Sequence, residues 1–133
     1  MTYMFAPGCA LMIYKPELAE RLHRILSERL GPMDLFDTCC HHIPPLSPGA
    51  EVINICPGCD RRYRQLYEGV STVSLWEILA TSTRFPFPDH HNAVMTILDA
   101  CPTRDEVRVH EAIRTLLSRM SISVVEPERT RVD

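Results

Sequence analysis

The sequence predicts an α/β protein: a Rossmann-like open, mainly parallel sheet with flanking helices and with cysteines at the carboxyl ends of its strands. Three observations carry this expectation. Short apolar runs alternate with segments of helical spacing, the pattern of strands joined by crossover helices. The intervals between runs are long enough for the connections that parallel strands require, which are expected to be right-handed. Four of the runs end in cysteine, as MFAPGC, LFDTCC, INICPGC and ILDAC.

Taken in order, Tyr3 to Phe5 reads as the first strand. From Pro16 to Leu30, Leu18, Leu22, Ile25, Leu26 and Leu30 recur at helical spacing, while Glu17/Arg21 and Glu20/Arg24 form i,i+4 pairs on the outer side. Pro16 suits a first helical turn, and Gly31-Pro32 ends the pattern. Short β-rich runs follow at Leu35 to Asp37 and Glu51 to Ile55, then shorter helices at Asp60 to Glu68 and Leu75 to Ala80. FPFPDHHN, residues 85–92, reads as a loop in which His90-His91 is solvated or a ligand pair, and Trp76 joins Leu75 and Leu79 in a small apolar patch. Met95 to Leu98 is a strand. Arg104 to Met120 is a helix with Val109, Ala112, Ile113, Leu116, Leu117 and Met120 on one face, opened by the capping-box pattern Thr103-Arg104-Asp105-Glu106. Ile122 to Val125 is the last strand.

Composition narrows the function classes. A chain of 133 residues with 45% apolar content can build one domain with a real core. A net charge of −3 supplies no basic footprint for nucleic acid or an anionic membrane. No apolar run approaches the roughly 18 residues that span a bilayer, and MTYMFAPGC lacks the features of a signal peptide. A cytoplasmic protein is expected, and six cysteines in a reducing compartment point to metal binding or catalysis more than to disulfides.

The strand ends place these thiols. Carboxyl ends of parallel strands line the ligand crevice of an open α/β sheet, so Cys9, Cys39, Cys40, Cys56, Cys59 and Cys101 are expected on one rim. Cys59 and Cys101 fall at or just before expected helix N-termini, where the dipole favours the thiolate. Cys101 alone is equally well a buried hydrophobe. The adjacent Cys39-Cys40 and the Cys56-x-x-Cys59 spacing are unusual for packing and point to metal or redox chemistry. Arg61, Arg62 and Arg64, beside Cys59, read as a solvated helix face or as an attractor for an anionic substrate or partner; Arg104 beside Cys101 is open to the same two readings.

The ordered set resembles the CCG cysteine-rich domain of the heterodisulfide reductases and related iron–sulfur oxidoreductases. Phe5-Ala6-Pro7-Gly8-Cys9 is similar to that family's opening PGC, Cys39-Cys40 to its double cysteine, and Cys56-Pro57-Gly58-Cys59 to its closing CxxC. Asp99-Ala100-Cys101-Pro102 resembles the opening of a second module. The resemblance implies one module over 1–94 and the first βα part of another over 95–133. It also implies Cys9, Cys39, Cys40, Cys56 and Cys59 as ligands of a [4Fe-4S] cluster of noncubane type, and electron transfer to a disulfide or a partner protein. Cys101 would begin a second site. Where the family has glycine after the double cysteine this chain has His41-His42, so His41 is an added candidate ligand or part of a solvated loop. Two alternatives remain open: a structural zinc module built on Cys56 and Cys59 with Cys39 and Cys40, or with His41 or His42, and a CxxC thiol-disulfide oxidoreductase. A half-formed second module leaves apolar surface, for which a homodimer is the expected partner arrangement.

Overall fold

A computed structural model of the chain describes residues 2–38, 41–42, 48–82, 84–99, 102 and 104–127. It divides into two compact units, Met1–Val73 and Ser74–Asp133. The first unit holds β1 (Tyr3–Ala6), α1 (Cys9–Tyr14), α2 (Pro16–Leu30), β2 (Asp34–Leu35), β3 (Glu51–Asn54), α3 (Pro57–Leu66) and β4 (Ser71–Ser74), whose last residue begins the second unit. The sheet order is β2-β1-β3-β4. β1 runs parallel to β2, with Met4 opposite Asp34 and Phe5 opposite Leu35, and parallel to β3, with Tyr3 opposite Glu51 through Ala6 opposite Asn54. This is the expected Rossmann-like open α/β architecture, and its register sets the carboxyl ends of β1, β2 and β3 at one edge.

The central strands lack polar alternation because both of their faces are covered. Met4, Phe5 and Ala6 of β1 and Val52, Ile53 and Asn54 of β3 are all buried. Burying side chains of the size of Phe5, Ile53 and Val52 contributes about 1.5–3 kcal/mol each. α2 has the predicted bounds, Pro16 in its first turn and Gly31 as its C-cap at φ 101°. Its covered side is narrower than the leucine stripe suggests: Ala19 and Leu26 are buried, whereas Leu18 and Leu30 are exposed.

Asn54 is buried yet satisfied. Its Nδ2 donates to Asp60 Oδ1 at 3.0 Å and to the Val73 carbonyl at 3.2 Å. Asp60 also accepts from Arg64 Nε at 2.8 Å, which pins the first turn of α3 against the end of β3.

The second unit holds α4 (Leu75–Thr81), β5 (Ala93–Thr96), α5 (Val107–Arg119) and β6 (Ile122–Val125). α4 opens with a capping box: Ser74 Oγ accepts from Trp76 N at 3.2 Å, and Ser74 N donates to Glu77 Oε2 at 3.0 Å. β5 and β6 form a parallel pair, Ala93 opposite Ile122 through Thr96 opposite Val125. α5 packs its buried Val109, His110, Ala112 and Leu116 inward. Arg114 forks between chain segments, donating from Nη1 and Nη2 to Asp99 at 3.1 and 2.9 Å and from Nε to Glu126 at 2.6 Å. Those carboxylates hold the Arg114 guanidinium further above its ordinary value, and Arg114 lowers the Glu126 carboxyl.

Several boundaries differ from expectation. α5 begins at Val107, with Glu106 at the N-cap, because the Glu106 carbonyl is the one that accepts from Val109 N and His110 N. The capping-box pattern beginning at Thr103, itself outside the described residues, placed the helix start three residues early. β5 begins at Ala93 and not Met95: His91 and Asn92 turn the chain at φ 52° and 64°, and pairing starts directly afterwards. α3 starts at Pro57, earlier than Asp60, since proline at the first helical position loses no hydrogen bond. α1 and β4 were not expected. CALMIY is too short and too uniformly apolar to display a helical period, and STVS offers only one apolar residue, Val73.

Candidate functional site at the carboxyl edge of the first sheet

Two turns meet where β1 and β3 end. After β1 the chain passes through buried Pro7 to Gly8, at φ 89° and ψ 152°, a conformation open in practice only to glycine. A Cβ on Gly8 would lie 3.5 Å from Cys56 Cβ and 3.5 Å from Cys59 Sγ, so the first turn backs directly onto the CxxC pair of the second. Cys9 follows as the first residue of α1, exposed. Parallel pairing of β1 with β3 is what brings these distant stretches together.

Cys56 is the N-cap of α3 and Cys59 lies in its first turn. Cys59 is buried in the core cluster of Ala6, Val52 and Tyr63, against which Cys56, Phe36, Tyr67 and Val70 also pack. Cys56 is half-buried and its thiol is lowered from 9.0 to about 5. The largest cause is a hydrogen bond from the Cys59 side chain; burial opposes it, and the backbone N–H groups of Cys59 and Gly58 assist. Cys56 makes no formal side-chain cap bond of the kind a serine or aspartate makes. Its sulfur is stabilised instead by the Cys59 side chain first and by the helix-start N–H groups second. The Cys56 thiol is thereby shifted toward the thiolate.

Around this pair lies a pocket of about 480 Å³, lined by Cys9, Cys56 and Cys59, by His41, and by Gly58, Arg61, Arg62, Gln65 and Leu66 of α3. The last five residues fall at i, i+3, i+4, i+7 and i+8 and share one helix face. The opposite face carries Asp60 and Tyr63, both buried, and Cys59 lies at the border between the two faces, buried and still part of the lining. Arg64 belongs with Asp60 and not with the pocket.

Of the predicted ligands, Cys9, Cys56 and Cys59 thus line one pocket, joined by His41. Cys39, Cys40 and Cys101 lie outside the described residues. His42 is exposed and is not part of the lining. Among the described residues, no three His, Cys, Asp or Glu side chains stand together as a metal-ligand group. In the second unit, His90 and His91 are exposed and Trp76 is half-buried on α4. Sequence reasoning missed Gly8 as the residue that lets the two turns touch, and missed Gln65 and Leu66 as lining. The spacing from Gly58 to Leu66 was the signal that could have found the latter.

No protein-family model matches the chain, and neither curated proteins nor solved structures provide a match.

Proposed function

We propose that the first unit is a thiolate redox centre that holds an iron–sulfur cluster at the carboxyl edge of its sheet, in the manner of the CCG-domain oxidoreductases it resembles. One observation carries the reading: Gly8 abuts both Cys56 and Cys59, so the PGC turn and the CPGC turn serve a single pocket. The ligand set of this reading is Cys9, Cys56 and Cys59, which line the pocket, with Cys39 and Cys40 carried over from the resemblance. Soft thiolates suit iron–sulfur chemistry, and the lowering of the Cys56 thiol favours the deprotonated form that metals bind. When bound, the cluster supplies one-electron chemistry whose potential follows hydrogen bonding to sulfur and exposure. The chain's own part is to fix the thiolates, to shield Cys59 within the core and to leave Cys9 and Cys56 open to a disulfide substrate or redox partner. A reducing, cytoplasmic setting belongs to the same reading; no helix among the described residues is long and apolar enough to cross a membrane. Cys101 as the start of a second site, and a homodimer formed through exposed Val94, Met95 and Val125, complete it.

A second reading rests on the lowered Cys56 thiol: a dithiol–disulfide couple with no metal. Cys56 thiolate attacks one sulfur of a disulfide and expels the other half as a thiolate. Cys59 then loses its proton and attacks Cys56 Sγ, releasing the second half and leaving a Cys56–Cys59 disulfide, two electrons having passed to the substrate.

Anaerobic purification with iron, sulfide and zinc analysis and an EPR spectrum, on wild type and Cys9→Ser, tests the choice. Iron and sulfide in equal amounts, lost in Cys9→Ser, is the expected result. Stoichiometric zinc without sulfide, indifferent to Cys9→Ser, overturns it in favour of a zinc module, and metal-free protein active in disulfide exchange favours the dithiol.

A further inference from the structure

The pocket that the sulfurs line also carries two arginines, Arg61 and Arg62, in a protein whose net charge is −3. Arg61 and Arg62 are consecutive on the pocket-facing side of α3, and Gln65 one turn on accepts from Arg61 Nε at 3.3 Å. Among the described residues, no aspartate or glutamate lines the pocket: the nearest in sequence, Asp60, is turned to the opposite face and engaged by Asn54 and Arg64. The charge of Asp60 is thus directed away from the pocket. The pocket's volume of about 480 Å³ is that of a small-molecule site.

We propose that Arg61 and Arg62 form an anion subsite, so that this pocket takes a small molecule bearing a carboxylate or phosphate group, its charged end on the arginines and the remainder over Cys9 and Cys56. The assignment rests on the pocket being the working redox site, and it adds the class of molecule admitted there. Guanidinium groups suit it because their planar fork matches carboxylate and phosphate oxygens. Gln65 orients Arg61 through the hydrogen bond already formed.

The test compares two alkylating reagents of nearly equal size, anionic iodoacetate and neutral iodoacetamide, on the reduced, metal-free wild-type chain, with modification at Cys56 read by peptide mass spectrometry. Both reagents meet the same thiolate, so the ratio of their rate constants reports the field of the pocket and not the ionisation of Cys56. In Arg61→Gln/Arg62→Gln that ratio is expected to fall by about fivefold at low salt, as for removal of local steering charge, and Arg61→Lys/Arg62→Lys restores most of it. In wild type alone, added salt lowers the ratio, and inorganic phosphate slows iodoacetate more than iodoacetamide. An unchanged ratio in the glutamine variant, or a wild-type ratio indifferent to both salt and phosphate, overturns the subsite. Iron and sulfide content measured on the same variants separates the two claims. Loss of cluster with an unchanged ratio means that the arginines merely balance thiolate charge, whereas a lowered ratio in a chain that never holds iron leaves the subsite standing without the cluster.

Discussion

Replacing Cys59 by alanine removes the proton donor that does most to stabilise the Cys56 thiolate. A hydrogen bond to a charged group is worth about 1.5–3 kcal/mol. At a half-open site solvent screening selects the lower end of that range. At about 1.36 kcal/mol per pH unit, the Cys56 thiol should rise from about 5 to roughly 6, the backbone N–H groups of Gly58 and Cys59 retaining the rest of the depression. Cys59→Ser keeps a donor at the same place and should stay close to wild type. The assay is the pH dependence of iodoacetamide labelling at Cys56, followed together with ultraviolet thiolate absorbance. A Cys59→Ala midpoint still at about 5 refutes the assignment of cause, and a wild-type midpoint near the ordinary 9.0 refutes the geometry itself. Linkage gives a further check on the metal-free reduced chain. The folded thiol titrates below the unfolded one, so between about 5 and 9.0 the unfolded chain binds more protons. Stability from this group is fully present above 9.0 and is lost as pH falls through about 5, and Cys59→Ala should move the lower end of that window up to roughly 6, leaving the slope above it unchanged.

Gly8→Ala meets only ordinary van der Waals contact at its new Cβ, so its cost comes from the backbone conformation, about 1–3 kcal/mol; a thermal midpoint equal to wild type contradicts this. Asn54→Ala takes one partner from buried Asp60 and leaves the Val73 carbonyl without its side-chain donor, lowering stability by about 1–3 kcal/mol in urea titration, with no loss expected if that edge is wet. Arg114→Ala strips a nearly inaccessible Asp99 of its bidentate partner and should cost about 3–5 kcal/mol, seen as accelerated amide exchange in the second unit and not the first; uniform exchange rates would contradict it. His110 is buried, and neither ring nitrogen has a hydrogen-bond partner among the described residues; His110→Leu should therefore raise the stability measured in urea by about 1 kcal/mol, and a fall would reveal a partner.

Elements with a long period or a hard stop were legible in the sequence. α2 carries five apolar residues at helical spacing between a proline and a glycine, and its bounds follow. β6 was equally clear. α1 was not, because six residues make fewer than two turns and none of them is buried. The convergence of Cys9 with Cys56 and Cys59 could be reasoned from strand ends, since parallel strands of one sheet finish at one edge. What sequence could not supply was which side of α3 faces that edge. Read alone, DRRYRQ is a charged surface; only the seating of Tyr63 and Cys59 in the core turns Arg61 and Arg62 toward the thiols and Arg64 toward Asp60.

β1 is flanked on both sides by strands that come later in the chain. During synthesis, therefore, Cys9 emerges well ahead of β3 and α3, and no local contact can bring it to Cys56 and Cys59 until those elements have followed. Closure of this long loop precedes assembly of the sulfur pocket, which makes the pocket a late event in the first unit's folding. An oxidant or metal that captures Cys9 before β3 is made does so before Cys56 and Cys59 exist, so the order in which the strands are made sets the interval during which Cys9 lacks the pair it shares a pocket with.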